Sequence, residues 1–200
     1  TLIKLLLGFY PPTEGEVLLG ENSLQHVSFK EWRKHCGVVM QEGYIFNDTI
    51  ANNIAQGDDM VDKERLLYAV QMANIREYIE VLPLRYNTRI GNTGQGLSQG
   101  QKQRILIARA IYRDPDYIFL DEATNALDTN NERVIQENLN NFLAGKTVVI
   151  VAHRLSTVRN ADRIVVLKQG QIVEGGTHEE LVNMQGDYYN LVKNQLEISN

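Results

Sequence analysis

At 200 residues with 43% hydrophobic side chains, the chain is long enough to bury a substantial core as one compact unit. A formal net charge of -5 and a charged fraction of 22% show none of the clustered Lys and Arg of a nucleic-acid footprint, so duplex binding is not expected. Cys36 is the sole cysteine, which excludes an internal disulfide framework and fits a reducing compartment. His35 beside it and His26 nearby lack the spacing of a structural zinc site. No run reaches the roughly 18 apolar residues that cross a bilayer, and the first residues lack the basic start and cleavage pattern of a signal peptide.

In chain order, Thr1 to Leu7 read as a helix without a start signal, cut at its beginning and stopped at Gly8 and Pro11-Pro12. A short strand is expected at Glu16 to Leu19, a helix around Ser28 to His35, and a strand at Val38-Val39-Met40 that ends on Gln41. From Gly43 to about Arg113 the pattern is helical, clearest at Lys63 to Ala73 and Gln99 to Tyr112, with no alternating strand between. Strand signal returns after Asp114-Pro115. Tyr117 to Leu120 and Thr147 to Val151 are near-continuous apolar runs, the pattern of parallel strands covered on both faces. Between them Asn130 to Leu143 form a helix, with Thr129 and Glu132 as its capping box and Gly145 as its stop. Arg163 to Leu167 and Gln171 to Val173 flank a hairpin turn at Lys168-Gln169-Gly170, with Gly170 at positive φ. One closing helix comes last, with Thr177 and Glu180 as its capping box.

Three apolar strands each end on a polar group suited to phosphate chemistry: Gln41, Asp121-Glu122 and His153. In open parallel α/β sheets ligands bind beyond the carboxyl ends of the strands, so these groups are placed to share one crevice. Singly each has an ordinary reading, since Gln41 also serves as a loop starter, the acidic pair as a solvated strand exit and His153 as a hydrogen-bonded strand end. Ser98 and Gln101 form an S-x-x-Q capping box that needs no ligand, yet the same helix start offers free N–H groups and a dipole end that suit a phosphate oxygen.

Together these motifs resemble the ABC ATPase family. Leu97-Ser98-Gln99-Gly100-Gln101 is similar to its LSGGQ signature, Tyr117 to Glu122 to Walker B with the adjacent glutamate, and Gln41 to the Q-loop. Asn125-Ala126-Leu127-Asp128 is similar to the D-loop and His153 to the switch histidine. The resemblance spans essentially the whole chain and implies a P-loop NTPase (RecA-like) α/β fold: a mainly parallel sheet core with an inserted helical subdomain. Residues 1–42 are then the first part of the core, 43–113 the helical subdomain, and 114–200 the second part of the core.

By this resemblance ATP and Mg²⁺ are the cofactors. Asp121 binds the metal, Gln41 senses the metal and the attacking water, Glu122 is the general base, and His153 contacts the γ-phosphate. Ser98, Gln99, Gly100 and Gln101 meet the nucleotide of a second copy, and Asp128 joins the two sites. The implied partners are a second nucleotide-binding domain and an ABC transmembrane domain, fused or separate, which places the chain at the cytoplasmic face of the cell membrane. Nucleic acid is not among them.

Three departures accompany the resemblance. Gln99 replaces the first signature glycine, and Asn92 stands where exporters often carry Glu. The Walker A string G-x-x-x-x-G-K-[ST] occurs nowhere. Thr1-Leu2-Ile3-Lys4 resembles the residues directly after that loop, so Thr1 is expected just past it, the N-terminal β-subdomain is missing, and the 200 residues alone are expected to hydrolyse ATP negligibly. Tyr44 to Ile50 with Asn53-Ile54, and Gly175 to Leu181, are exporter-like, with similarity to peptide, bacteriocin or lipid exporters. The rivals are a non-catalytic regulatory or interaction module of ABC type and a DNA-associated ATPase of the chromosome-maintenance class. The latter is disfavoured because no sustained heptads separate Gln41 from Leu97.

Overall fold

The computed structural model describes residues 1–41, 43–94, 96–121, 129–152 and 158–198, the side chains of 129–133, 136 and 195–198 excepted. The chain divides into two compact units, Thr1–Val149 and Ile150–Asn200.

The first unit opens with α1 (Leu2–Leu6), which stops at Gly8 in the left-handed region, φ +67. The strand expected at Glu16 to Leu19 is only β1 (Leu18–Leu19), paired antiparallel with β2 (Asn22–Ser23). Ser28 precedes α2 (Phe29–Lys34), whose Trp32 donates from Nε1 to the Leu6 carbonyl at 3.0 Å and packs edge-on against Tyr117. Strand β3 (Cys36–Val39) runs parallel to β6 (Tyr117–Asp121), in register from Cys36 opposite Tyr117 to Val39 opposite Leu120. The sheet order is β3-β6-β7, with β7 covering Thr147–Val151. The Thr147 N–H donates to the Asp116 carbonyl at 3.1 Å, which seats the start of β7 beside the start of β6.

Central β6 has the burial expected of it: Ile118, Phe119 and Leu120 are buried, and Phe119 joins Ile3, Leu7, Leu24, Trp32 and Cys36 in one apolar cluster. Each such side chain contributes about 1.5–3 kcal/mol by leaving water. The full coverage expected of β7 is not reached. Val148, Val149 and Ile150 are half-buried and Val151 is exposed, whereas the other outer strand, β3, buries Cys36, Gly37 and Val39.

The helical stretch holds α3 (Ile50–Ile54), α4 (Lys63–Met72), α5 (Arg76–Glu80) and α6 (Gln99–Arg113). Thr49 and Asp62 cap α3 and α4 by accepting from the N–H groups of Asn52 and Arg65. Helix α6 packs on α3, α4 and β3 and buries Ile105 to Ala108 and Ala110 to Tyr112, the nearly all-round apolar surface of a central helix. It ends at Asp114 in the left-handed region, and Pro115 prevents its continuation. The expectation of no strand in this stretch needs correction. Asp48–Thr49 (β4) and Arg89–Ile90 (β5) pair antiparallel, a bridge of two residues a side that is too short to leave an alternating pattern. Helix α7 (Thr129–Leu143) packs on α4, its Asn138 donating to the Met72 carbonyl at 3.0 Å. Gly145 comes next at φ +77, as its role of helix stop requires.

In the second unit β8 (Ile164–Lys168) and β9 (Gln171–Gly176) form the expected hairpin. Both turn residues, Gln169 at φ +52 and Gly170 at φ +80, are left-handed, the type I′ geometry that matches strand twist. The single closing helix is in fact two, α8 (His178–Met184) and α9 (Asp187–Ile198). The Thr177–Glu180 capping box starts α8 as expected, but Gln185 turns left-handed and breaks the run. Glu174 then accepts from the N–H groups of Asp187 and Tyr188 at 2.5 and 2.9 Å and so caps α9. Ile164, Val166, Leu181 and Tyr188 make this unit's core.

Candidate functional site

Parallel pairing decides where the first candidates lie. Because β3 and β6 run side by side in the same direction, Asp121, the half-buried last residue of β6, and Gln41, in the turn two residues beyond β3, emerge at the same end of the sheet. That rim combines a carboxylate with a carboxamide, an acceptor and an orienting group for a polar ligand. Glu122, Asp128 and His153 lie outside the described residues, as do the Thr129 and Glu132 side chains, so the roles expected of them rest on the sequence. Thr1 is exposed and precedes α1, with no side-chain capping bond.

The signature segment forms the start of α6. Ser98 Oγ accepts from the Gln101 N–H at 3.2 Å, and Gln101 Oε1 accepts from the Ser98 N–H at 2.9 Å, so the capping-box reading holds. Ser98 and Gln99 are exposed, and Gly100 and Gln101 half-buried. Gln99 is the first residue of the helix and is not at positive φ, so its Cβ costs this backbone nothing. The Gln99 and Gly100 N–H groups belong to the first turn, where no intrahelical acceptor is available.

Arg109, which the sequence did not single out, and Asn53, which it marked only as part of an exporter-like segment, organise the backbone beyond Gln41. Arg109, on α6, donates from Nε to the Asn53 carbonyl at 2.7 Å, from Nη1 to the Tyr44 carbonyl at 2.9 Å, and from Nη2 to Asn53 Oδ1 at 3.2 Å. Its guanidinium carbon lies 5.4 Å from the centre of the Phe46 ring. Asn53 is 1% exposed; its Oδ1 accepts from the Phe46 N–H at 2.9 Å and its Nδ2 donates to the carbonyls of Phe46 and Thr49, both at 3.0 Å. Burial, with Arg113 adding repulsion, lowers the Arg109 pKa to about 10, so the side chain stays protonated at neutral pH. The signal was present in the sequence: one cation inside Ile105-Leu106-Ile107-Ala108-Arg109-Ala110-Ile111, a run otherwise wholly apolar.

The segment's far side meets the loop after β5. Asn47 Oδ1 accepts from the Thr93 N–H at 3.2 Å, and Arg89 Nη2 donates to the Asn47 carbonyl at 3.2 Å. Gly91 sits in this loop at φ +104, where a side chain would run into Asn47 and the Phe46 carbonyl.

A profile of the ABC transporter family matches residues 1–125. The chain belongs to the ABC transporter family. ABC transporter B family member 14 of Arabidopsis thaliana is 45% identical over 195 residues, which are 98% of this chain and 16% of that protein. An ATP-dependent lipid A-core flippase of Chromohalobacter salexigens is 47% identical over 188 residues, 94% of this chain and 32% of the flippase. A bacterial Atm1-family ABC exporter, solved with ATP bound, superposes with a TM-score of 0.91 at 38% identity, covering 97% of this chain and 34% of the exporter. The chain therefore spans about a sixth to a third of the length of the proteins it resembles. Its fold is the P-loop NTPase fold of the ABC ATPase domain.

ABC domains bind ATP, generally with Mg²⁺, and the donors present fit that pair. Mg²⁺ takes hard oxygen ligands and is commonly held by one or two carboxylates together with substrate phosphates, a demand that the carboxylate of Asp121 meets. No group of three or more His, Cys, Asp or Glu suited to a metal is assembled among the described residues. No helix among the described residues is long and apolar enough to cross a membrane.

Proposed function

We propose that this chain is the ATP-hydrolysing part of an ABC exporter and couples Mg·ATP hydrolysis between two such domains to transport across a membrane. The observation that carries the reading is the parallel register of β3 and β6, which brings Gln41 and Asp121 to one rim. Asp121 holds the metal, Gln41 orients the water beside it, Glu122 takes the water's proton, and His153 donates to the terminal phosphate. Phosphoryl transfer asks the protein for positioning and charge neutralisation more than for covalent help, and these four residue types supply both.

Ser98, Gln99, Gly100 and Gln101 present the α6 start to the nucleotide of a second copy. Exposure of Ser98 and Gln99 supports this role, as does the position of the Gln99 and Gly100 N–H groups in the first turn. Asp128 joins the two sites. The protein sits at the cytoplasmic face of the membrane through an ABC transmembrane domain, fused or separate. The parts are 1–42 and 114–200 as core and 43–113 as helical subdomain. The 200 residues contain no Walker A string, so on their own they hydrolyse ATP negligibly.

The test is Glu122→Gln in the full-length protein. ATP binding is expected to persist while turnover falls about 10²–10⁴-fold, the usual worth of a general base, and a nucleotide-trapped dimer accumulates. Turnover equal to that of the wild type removes Glu122 from the role of base.

A further inference from the structure

The half-buried Arg109 has no carboxylate among the partners described for it. A guanidinium partly withdrawn from water commonly sits opposite an acid, yet this one is held by the Asn53 and Tyr44 carbonyls, the Asn53 amide oxygen and the Phe46 ring. Its three donors point in fixed directions, so together they specify the position of the backbone from Tyr44 to Asn53, a task that a single point charge does not perform. That backbone is the continuation of the turn carrying Gln41.

A second contact binds the same stretch to α6. A side chain on Gly43 would collide with Leu106, so the chain just beyond Gln41 lies directly on the helix that begins with the signature segment. Arg109 and Leu106 are three residues apart on α6 and therefore on one face of it. The segment that follows Gln41 is thus joined to α6 at two places.

We propose that Arg109 is a positioning residue for hydrolysis: by clamping Tyr44, Phe46 and Asn53 to α6 it fixes the turn that presents Gln41, and it ties that turn to the signature helix. The inference rests on the function proposed above and adds a residue to which that reading gave no role. Arg109 acts through Gln41 and touches neither nucleotide nor metal.

The experiment compares Arg109→Gln and Arg109→Lys with the wild type in the full-length protein, measuring Mg·ATP affinity, kcat per nucleotide-binding site, and amide hydrogen exchange. Both variants are expected to bind Mg·ATP within about threefold of the wild type and to lose about 10–100-fold in kcat, the scale of a misplacement near 1 Å. Exchange is expected to rise across residues 44–54 while α6 stays protected. Arg109→Lys keeps the charge and most of the stem and so guards against loss of folding in Arg109→Gln; it restores the melting temperature but not kcat, because a compact ammonium lacks the planar fork that spans both carbonyls and the amide oxygen. A residue needed only for stability would lower the melting temperature and the number of binding-competent sites while leaving kcat per site unchanged, and that result, or unchanged exchange at 44–54, overturns the proposal. A wild type that binds ATP without turning it over overturns the proposed function and the positioning role with it, whereas a wild type matched in kcat by both variants overturns the positioning role alone.

Discussion

Asn53 and Asn52 are neighbours of identical chemistry in opposite settings, and replacing each by Ala separates what burial does from what residue type does. Asn53→Ala removes the acceptor of the Phe46 N–H and that of Arg109 Nη2, while the Phe46 carbonyl keeps the Asp48 N–H at 2.8 Å. Two half-buried donors are left without that partner, one of them charged, at about 1–2 kcal/mol each, the lower part of the range because neither is fully withdrawn from water, so the expected loss is about 2–4 kcal/mol. Asn52 is exposed and makes one side-chain bond, to Asp48 Oδ1 at 3.1 Å, so Asn52→Ala should change stability by less than about 0.5 kcal/mol. Urea unfolding followed through the sole tryptophan, Trp32, reads both. With m about 2–3 kcal/mol/M, Asn53→Ala lowers the midpoint by about 1–2 M and Asn52→Ala scarcely moves it. Equal midpoints for the two variants would refute the account of a buried polar clamp.

Other consequences are open to measurement. Burial pushes the Cys36 thiol up to about 12, so in the folded protein at pH 8 it should react with a disulfide reagent far more slowly than after denaturation. Below the ordinary thiol pKa both states hold the proton; between there and about 12 only the unfolded state releases it, so stability falls as pH rises through that window, and Cys36→Ala should remove that part of the slope. Glu174→Ala takes both acceptors from the start of α9 and should cost about 1–3 kcal/mol, seen as faster exchange of the Asp187 and Tyr188 amides; exchange as slow as in the wild type would contradict the capping role. Lys168→Ala removes only an exposed pair with Asp187 and should cost less than about 1 kcal/mol by thermal unfolding.

Local rules made much of this fold readable. Ser98 with Gln101 and Thr177 with Glu180 are caps whose partners stand three residues apart, and Gly170 is needed wherever a two-residue hairpin twists with its strands. β6 was legible because a strand covered on both faces carries an unbroken apolar run, Ile118-Phe119-Leu120. The β4–β5 bridge was not, since two residues a side carry no period and Asp48 meets Ile90 only after the helices between them have packed. The break between α8 and α9 was hidden for a related reason: it depends on Glu174, which reaches the α9 start from a different element. At the site, Gln41 and Asp121 were singled out because strand ends are predictable; Arg109 was legible only as the lone cation of an apolar run, and its partners were not, since a backbone carbonyl leaves no trace in residue identity.

The most direct measurement is the structure of the full-length Glu122→Gln protein with Mg·ATP. The account predicts one triphosphate and its metal within hydrogen-bonding or coordination reach of Asp121, Gln41 and His153 from one copy, with Ser98 and Gly100 of the other copy at its terminal phosphate. A nucleotide bound away from the β3–β6 rim, or His153 directed to another face, would contradict it.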